Sequence, residues 1–99
     1  MNIVAVTACP TGIAHTYMAA EQLEKTARKL GHRIKVETQG AMGIENELSA
    51  EDIANAQVAI FAADIRVQRS ERFEKLPIVE VPVQEAIKHP EALFGRLPR

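Results

Sequence analysis

Ile3-Val4-Ala5-Val6-Thr7-Ala8-Cys9-Pro10-Thr11-Gly12-Ile13-Ala14-His15-Thr16 decides the fold, because it reads as a buried strand running through a short loop into a helix. The apolar run Ile3 to Val6 has strand length, and the helix is expected to start between Ile13 and Thr16. That handover places Cys9, the single cysteine of the chain, at the carboxyl end of a strand and beside a helix N-terminus. Unpaired main-chain N–H groups and the positive end of the helix dipole suit such a place to an anion, and favour a thiolate over a thiol. Cys9 is therefore read as a nucleophile, with the loop after it holding a phosphoryl group. The plainer alternative is a buried, inert core thiol, the common state of a free cysteine.

Downstream, Ile13, Tyr17, Ala20, Leu23, Ala27 and Leu30 recur at steps of three and four and predict one apolar helix stripe. Gly31, after Arg28-Lys29-Leu30, predicts the C-terminal cap. Ile34-Lys35-Val36-Glu37-Thr38 alternates as a half-exposed strand does, and its charged face predicts a sheet edge. Gln39-Gly40-Ala41-Met42-Gly43 is expected to be a loop. Ser49 and Asp52 have the spacing of a capping box, opening a short helix with Ile53 and Ala56 facing inward. Val58 to Ala63 is a continuous apolar run, predicted to be a central strand that ends at Asp64.

Residues 65–76 predict a short helix or helical turn closed by Pro77, and Ile78-Val79-Glu80-Val81 a last strand. Pro82 suits the first turn of a final helix, Val83 to Lys88, and residues 89–99 read as a loosely packed tail. The order β-α-β-α-β-α-β-α predicts an α/β fold, a four-stranded parallel sheet with helices on both faces, in a single domain spanning residues 1–99. The strands ending at Cys9 and Asp64 are expected side by side in the middle. Ligands of such sheets bind where the strand order reverses, at the carboxyl ends.

Ninety-nine residues, 46% of them apolar and 25% charged, suffice for a core without disulfide or metal support. The net charge of −1 gives no general attraction to nucleic acid or anionic membrane. One cysteine excludes an intrachain disulfide and a thioredoxin-like redox pair, and fits a reducing cytoplasm. Residues 1–20 carry no Lys, Arg, Asp or Glu, yet they lack the basic start of an export signal. Pro10, Gly12 and His15 also interrupt the run, so neither secretion nor membrane insertion is expected. Walker-type, dinucleotide-binding and zinc-ligand spacings are missing, and no cofactor or metal is expected.

A cysteine followed by five residues and an arginine is the phosphate loop of tyrosine phosphatases, but here that arginine position holds His15. An arginine fork grips two phosphate oxygens and stabilises hydrolytic turnover, whereas His15 donates one ring N–H, or two when protonated. The loop is thus read as one that accepts and passes on a phosphoryl group. A small cysteine-dependent phosphatase or an arsenate-reductase-like enzyme is the alternative; the first lacks its arginine and the second its further cysteines. His15 reads equally as a solvent-exposed residue of the first helical turn. Thr11 and Thr16 donate hydroxyls to phosphate or cap the helix, and Gly12 permits close approach of an anion or simply turns the chain. Asp64 is a general acid, an orienting group behind the site, or a strand-end turn residue. Arg66, Arg69 and Arg72 read as a solvated face in preference to a dock for an acidic partner.

Cys9-Pro10-Thr11-Gly12-Ile13-Ala14-His15-Thr16, followed by Met18-Ala19-Ala20, closely resembles the start of the fructose-type enzyme IIB domain of the bacterial phosphoenolpyruvate-dependent sugar phosphotransferase system. Glu37-Thr38-Gln39-Gly40, Ala62-Ala63-Asp64-Ile65 and Arg72-Phe73 match that family's later landmarks, and the resemblance covers about residues 1–88. It implies that Cys9 is the phosphorylated cysteine, receiving phosphate from a histidine on enzyme IIA and giving it to a sugar bound by a membrane enzyme IIC. The phosphoryl oxygens would be held by main-chain N–H groups of residues 10–16. Many relatives fuse IIB to IIA or IIC; ending at Arg99, this chain is expected to act as a free-standing component with a fructose-like sugar.

Overall fold

The computed structural model describes residues 1–10 and 13–98, and of Ile13 the backbone alone. β1 (Asn2–Ala8) leads into α1 (Ile13–Lys29), followed by β2 (Arg33–Gly40) and β3 (Gly43–Glu45). After these come α2 (Ala50–Ala54), β4 (Val58–Ala63), a 3₁₀ turn (Ser70–Phe73), β5 (Ile78–Val81), α3 (Val83–Lys88) and α4 (Pro90–Phe94). The sheet order is β3-β2-β1-β4-β5, so β1 and β4 are neighbours at the centre, as expected. Helices lie on both faces, as an α/β sheet with parallel crossovers requires.

The sheet is not the predicted four-stranded parallel one. It has five strands and is mixed, because β3 runs antiparallel to β2 while the other three pairings are parallel. Gln39 and Gly40 continue β2 rather than starting a loop, and Ala41 and Met42 turn the chain into Gly43, whose φ of +88° a side chain would resist. β3 pairs only with the Thr38–Gly40 end of β2, so Arg33–Glu37 stays at the sheet edge as expected, but Glu37, whose charge suggested exposure, is fully buried.

β1 sends Ile3 and Ala5 to one face and Val4 and Val6 to the other, and burial on both sides explains its unbroken apolar run. The first face packs Leu23 and Ala27 of α1 with Ala86 of α3 and Leu93 of α4. The second packs Phe61, Val67 and Phe73 beneath α2 and the 3₁₀ turn, with the Phe61 and Phe73 rings edge to face at 5.2 Å. The buried stripe of α1 is Thr16, Ala19, Ala20, Leu23, Thr26 and Ala27, whereas Tyr17 and Leu30 are 43% and 47% exposed. Small side chains let the helix sit close to the sheet, so size rather than hydrophobicity chose the buried face.

Gly31 has φ +80° and ends α1 as predicted. His32 N–H returns to Ala27 C=O at 2.8 Å and Gly31 N–H to Arg28 C=O at 3.2 Å, the paired bonds of a Schellman cap. Ser49 and Asp52 exchange the two bonds of the capping box, each at 3.0 Å. Pro82 lies just before α3 rather than within its first turn, and α3 is not the final helix. Residues 89–98 are no loose tail: α4 forms, Leu93, Phe94 and Leu97 are buried, and Phe94 stacks on His32. Pro90 starts that helix instead of breaking it.

Candidate functional site

Cys9 follows β1 directly. Its N–H bonds to Gln39 C=O of β2 at 3.4 Å, and the preceding Ala8 C=O accepts from Asp64 N–H, just past β4, at 3.0 Å. The chain leaves β1 towards β2 on one side and later joins it through β4 on the other, so Cys9 stands where the strand order reverses. Cys9 is only 2% exposed and is part of the α1-side apolar cluster, as the inert-thiol alternative also expects. The sulfur lies 4.0 Å from Nδ1 of His15, an exposed residue of the first turn of α1. The sulfur is thus buried beside the core, with the His15 ring as a polar neighbour.

Of the other predicted residues, Pro10 and Ala14 are exposed, and Thr11, Gly12 and the Ile13 side chain lie outside the described residues. Thr16 is buried: its C=O accepts from the Thr7 hydroxyl at 3.1 Å, and its own hydroxyl packs towards Gly40. Asp64 is exposed, but its Oδ1 accepts from Val83 N–H at 3.1 Å, which ties the end of β4 to the start of α3. The structure thus brings Cys9, His15 and the Asp64 backbone together and turns the Asp64 carboxylate to a helix start.

Two features escaped the sequence. Tyr17, Met18, Met42 and Ile65, 43%, 49%, 67% and 40% exposed, come from segments that converge on the carboxyl edge of the sheet. The Tyr17 hydroxyl donates to Glu45, joining α1 to β3, and that bond holds the phenol above its ordinary pKa. The second feature corrects the reading of Arg72 as solvated. Arg66 and Arg69 are exposed, and Arg69 pairs with Glu47, but Arg72 donates two parallel bonds of 3.0 Å to the carboxylate of Glu37. Leu48 N–H and Gln39 Nε2 also donate to Glu37, at 2.9 and 2.7 Å. Burial alone pushes the Glu37 carboxyl up; the Arg72 fork and the two amide donors outweigh it and hold the group below the usual carboxylate range. A groove of about 1040 Å³ lies between α2 and the 3₁₀ turn, and no described residue of the Cys9 loop lines it.

The family model for the lactose/cellobiose-specific IIB subunit of the phosphotransferase system matches residues 4–96. The fructose-like EIIB component 2 of Escherichia coli K12 is 50% identical over 96 residues, which cover 97% of this chain and 91% of that one. The 2-O-alpha-mannosyl-D-glycerate-specific EIIABC component of the same organism is 58% identical over 93 residues, 94% of this chain but 14% of that far longer protein. Among solved structures, a domain of the fructose-specific IIABC component of Borrelia burgdorferi superposes with a TM-score of 0.90 at 48% identity, covering 94% of this chain and 88% of that one. With the parallel core, the cysteine at its reversal point and these matches in agreement, the chain belongs to the IIB family of the phosphotransferase system.

Proposed function

We propose that Sγ of Cys9 carries a phosphoryl group from a phosphohistidine of a IIA partner to a fructose-like sugar held by a membrane IIC partner. The observation that carries this reading is the placement of Cys9 at the carboxyl end of the central strand, before α1, with His15 Nδ1 at 4.0 Å. Relatives that join the three parts in one chain, such as the EIIABC proteins, support partnership with IIA and IIC. The fructose-like EIIB relatives support the sugar class. No helix among the described residues is long and apolar enough to cross a membrane, and the transfer steps need this chain only on the cytoplasmic side.

In the first step the Cys9 thiolate attacks phosphorus, an S–P bond forms, and the P–N bond of the donor breaks. The departing imidazole takes up a proton. In the second step a sugar hydroxyl attacks phosphorus, loses its proton to solvent or a neighbouring base, and the thiolate leaves. Main-chain N–H groups of the loop after Pro10, which itself has none, and of the start of α1 hold the phosphoryl oxygens, so catalysis is mainly positioning and charge stabilisation. His15 donates a ring N–H to the same oxygens. Asp64, tied to α3, acts from behind by fixing the end of β4. Tyr17, Met18, Met42 and Ile65 form the rim that a docked partner covers.

Intact-mass analysis after incubation with the general phosphotransferase proteins and a IIA tests the reading. The wild type is expected to gain one phosphoryl group and Cys9→Ser none, while His15→Ala gains it more slowly. Sustained hydrolysis of an aryl phosphate by the wild type would instead favour the phosphatase alternative.

A further inference from the structure

Two stretches with no assigned part in the transfer, Glu37-Thr38-Gln39-Gly40 and Arg72-Phe73, meet in space. They form a polar knot on the α2 side of the sheet. Glu37 is fully buried between the Arg72 fork, Leu48 N–H and Gln39 Nε2. Gln39, 2% exposed, grips the main chain of Gln68 in both directions, accepting from its N–H at 2.8 Å and donating to its C=O at 3.0 Å. Arg72 reinforces the same stretch through Arg69 C=O at 2.8 Å and lies over the Phe73 ring at 4.9 Å.

The topology gives this knot a place in the reaction. β4 leaves the sheet at Asp64, on one flank of β1, and its partner residue there is Ala8. Four residues later Gln68 is fastened to Gln39, which pairs with the same Ala8 from the opposite flank. Residues 64–68 therefore cross the carboxyl end of β1 immediately before Cys9, and Val67 is buried under the crossing with Val4 and Val6. The Gln39 carbonyl that receives Cys9 N–H belongs to the residue whose side chain holds the strap. A buried ion pair contributes little net stability beyond a well-packed apolar pair, but its fork fixes geometry.

We propose that residues 64–68 are a rigid wall of the phosphoryl site and that Gln39, Glu37 and Arg72 are its positioning residues, acting through Gln68 and the strand end that bears Cys9. This rests on the reading of Cys9 as the phosphoryl carrier. The reach is indirect, through Gln68 and the end of β1 rather than to the sulfur itself.

Two variants separate positioning from stability. Glu37→Gln combined with Arg72→Met removes both charges while leaving a side-chain oxygen to accept from Leu48 N–H, and Gln39→Met frees the Gln68 N–H while leaving the Gln39 carbonyl in place. For each, the urea midpoint, amide exchange at Gln68 and the rate of Cys9 phosphorylation by saturating phosphorylated IIA are compared with the wild type. The double variant is expected to keep its urea midpoint, and Gln39→Met to lose protection of the Gln68 amide. Both are expected to transfer about ten- to a hundredfold more slowly at saturation, with the half-saturating IIA concentration unchanged, as a misplaced reacting group requires. Transfer within about twofold of wild type, by a Gln39→Met protein that is folded and unprotected at Gln68, overturns the proposal. A rate loss that merely follows a fall in urea midpoint overturns it as well. If the wild type itself is never phosphorylated on Cys9, the carrier reading fails first and takes this one with it.

Discussion

Arg72→Met isolates the energetics of the buried carboxylate. In the wild type Glu37 has no solvent exposure and accepts from Arg72 twice, from Leu48 and from Gln39. Removing the guanidinium leaves a buried charge with only two neutral donors, a change that costs about 3–5 kcal/mol. A chain of this size is stabilised by about 5–15 kcal/mol, so the variant loses from about a fifth to all of its stability at neutral pH. The sign of the pH dependence is the sharper test. In the wild type the Glu37 carboxyl is held low, so its contribution is complete above the unfolded value of 4.5 and is lost as pH falls through the folded one. In the variant burial has no opposing cation, the carboxyl is pushed up, and the folded state binds a proton that the unfolded state has released. Stability of the variant relative to wild type therefore falls as pH rises. Urea titrations followed by circular dichroism should show the gap widening from about 1–2 kcal/mol near pH 5, where only hydrogen bonds are lost, to about 3–5 kcal/mol near pH 8. A gap that is constant across this range, or that narrows with pH, would refute the assignment of Glu37 as a buried anion held by Arg72.

Three further outcomes are expected. Leu23→Ala empties the largest α1 side chain that is completely buried, and should lower stability by about 2–5 kcal/mol in the same urea assay. Thr38→Val removes a buried hydroxyl that has no hydrogen-bond partner among the described residues, so the urea midpoint should hold or rise, by up to about 1 kcal/mol; a clear loss would reveal a partner. The Asp52 carboxyl is held at about 2, by Ser49 N–H first and then by Lys35. Its contribution is thus complete above the ordinary value of 3.8 and is lost as pH falls towards 2, and thermal melts of Asp52→Asn should show a weaker acid dependence than wild type.

What could be read without coordinates was whatever hydrophobic runs and turn chemistry announce locally. β1 and β4 are continuous apolar stretches because both of their faces are covered, and the Pro10-Gly12 loop between a strand and a helix located Cys9 at the reversal point. Gly31 and the Ser49–Asp52 pair were legible because caps are short-range devices. β3 was not, since three residues beginning with glycine carry no alternation. The Glu37–Arg72 pair joins residues 35 positions apart, and each charge taken singly looks like surface. The stripe of α1 was displaced because the count followed hydrophobicity, while packing followed size and sank Thr16 and Thr26 in place of Tyr17 and Leu30. The exposed cluster of Tyr17, Met18, Met42 and Ile65 was not legible because residues far apart in sequence are brought to one end of the sheet only by the topology.

The distribution of buried polar groups separates the two ends of the molecule. Among the described residues Thr7, Thr16, Glu37, Thr38 and Gln39 are buried at the carboxyl end of the strands or the start of α1, and Thr26 alone lies elsewhere. At the opposite end Ile3, Ile34 and Val58 pack as hydrocarbon, beside His32, whose buried Nδ1 has no partner among the described residues. Polar burial costs free energy unless every group is bonded, and an apolar filling would serve folding as well or better. The phosphoryl group that we propose Cys9 carries would change that balance. It brings negative charge to the edge of a core, where unoriented hydrocarbon repels it and fixed main-chain donors stabilise it. Such donors keep their aim only if the strand ends that carry them cannot shift. The polar knot at Glu37 and the Thr7–Thr16 bond supply that rigidity on the two faces of β1, one on each side of the sulfur's strand. On the proposed role of Cys9, stability is conceded at the end where transfer takes place and recovered at the other, and substitutions that make the carboxyl end more apolar should raise the urea midpoint while slowing transfer.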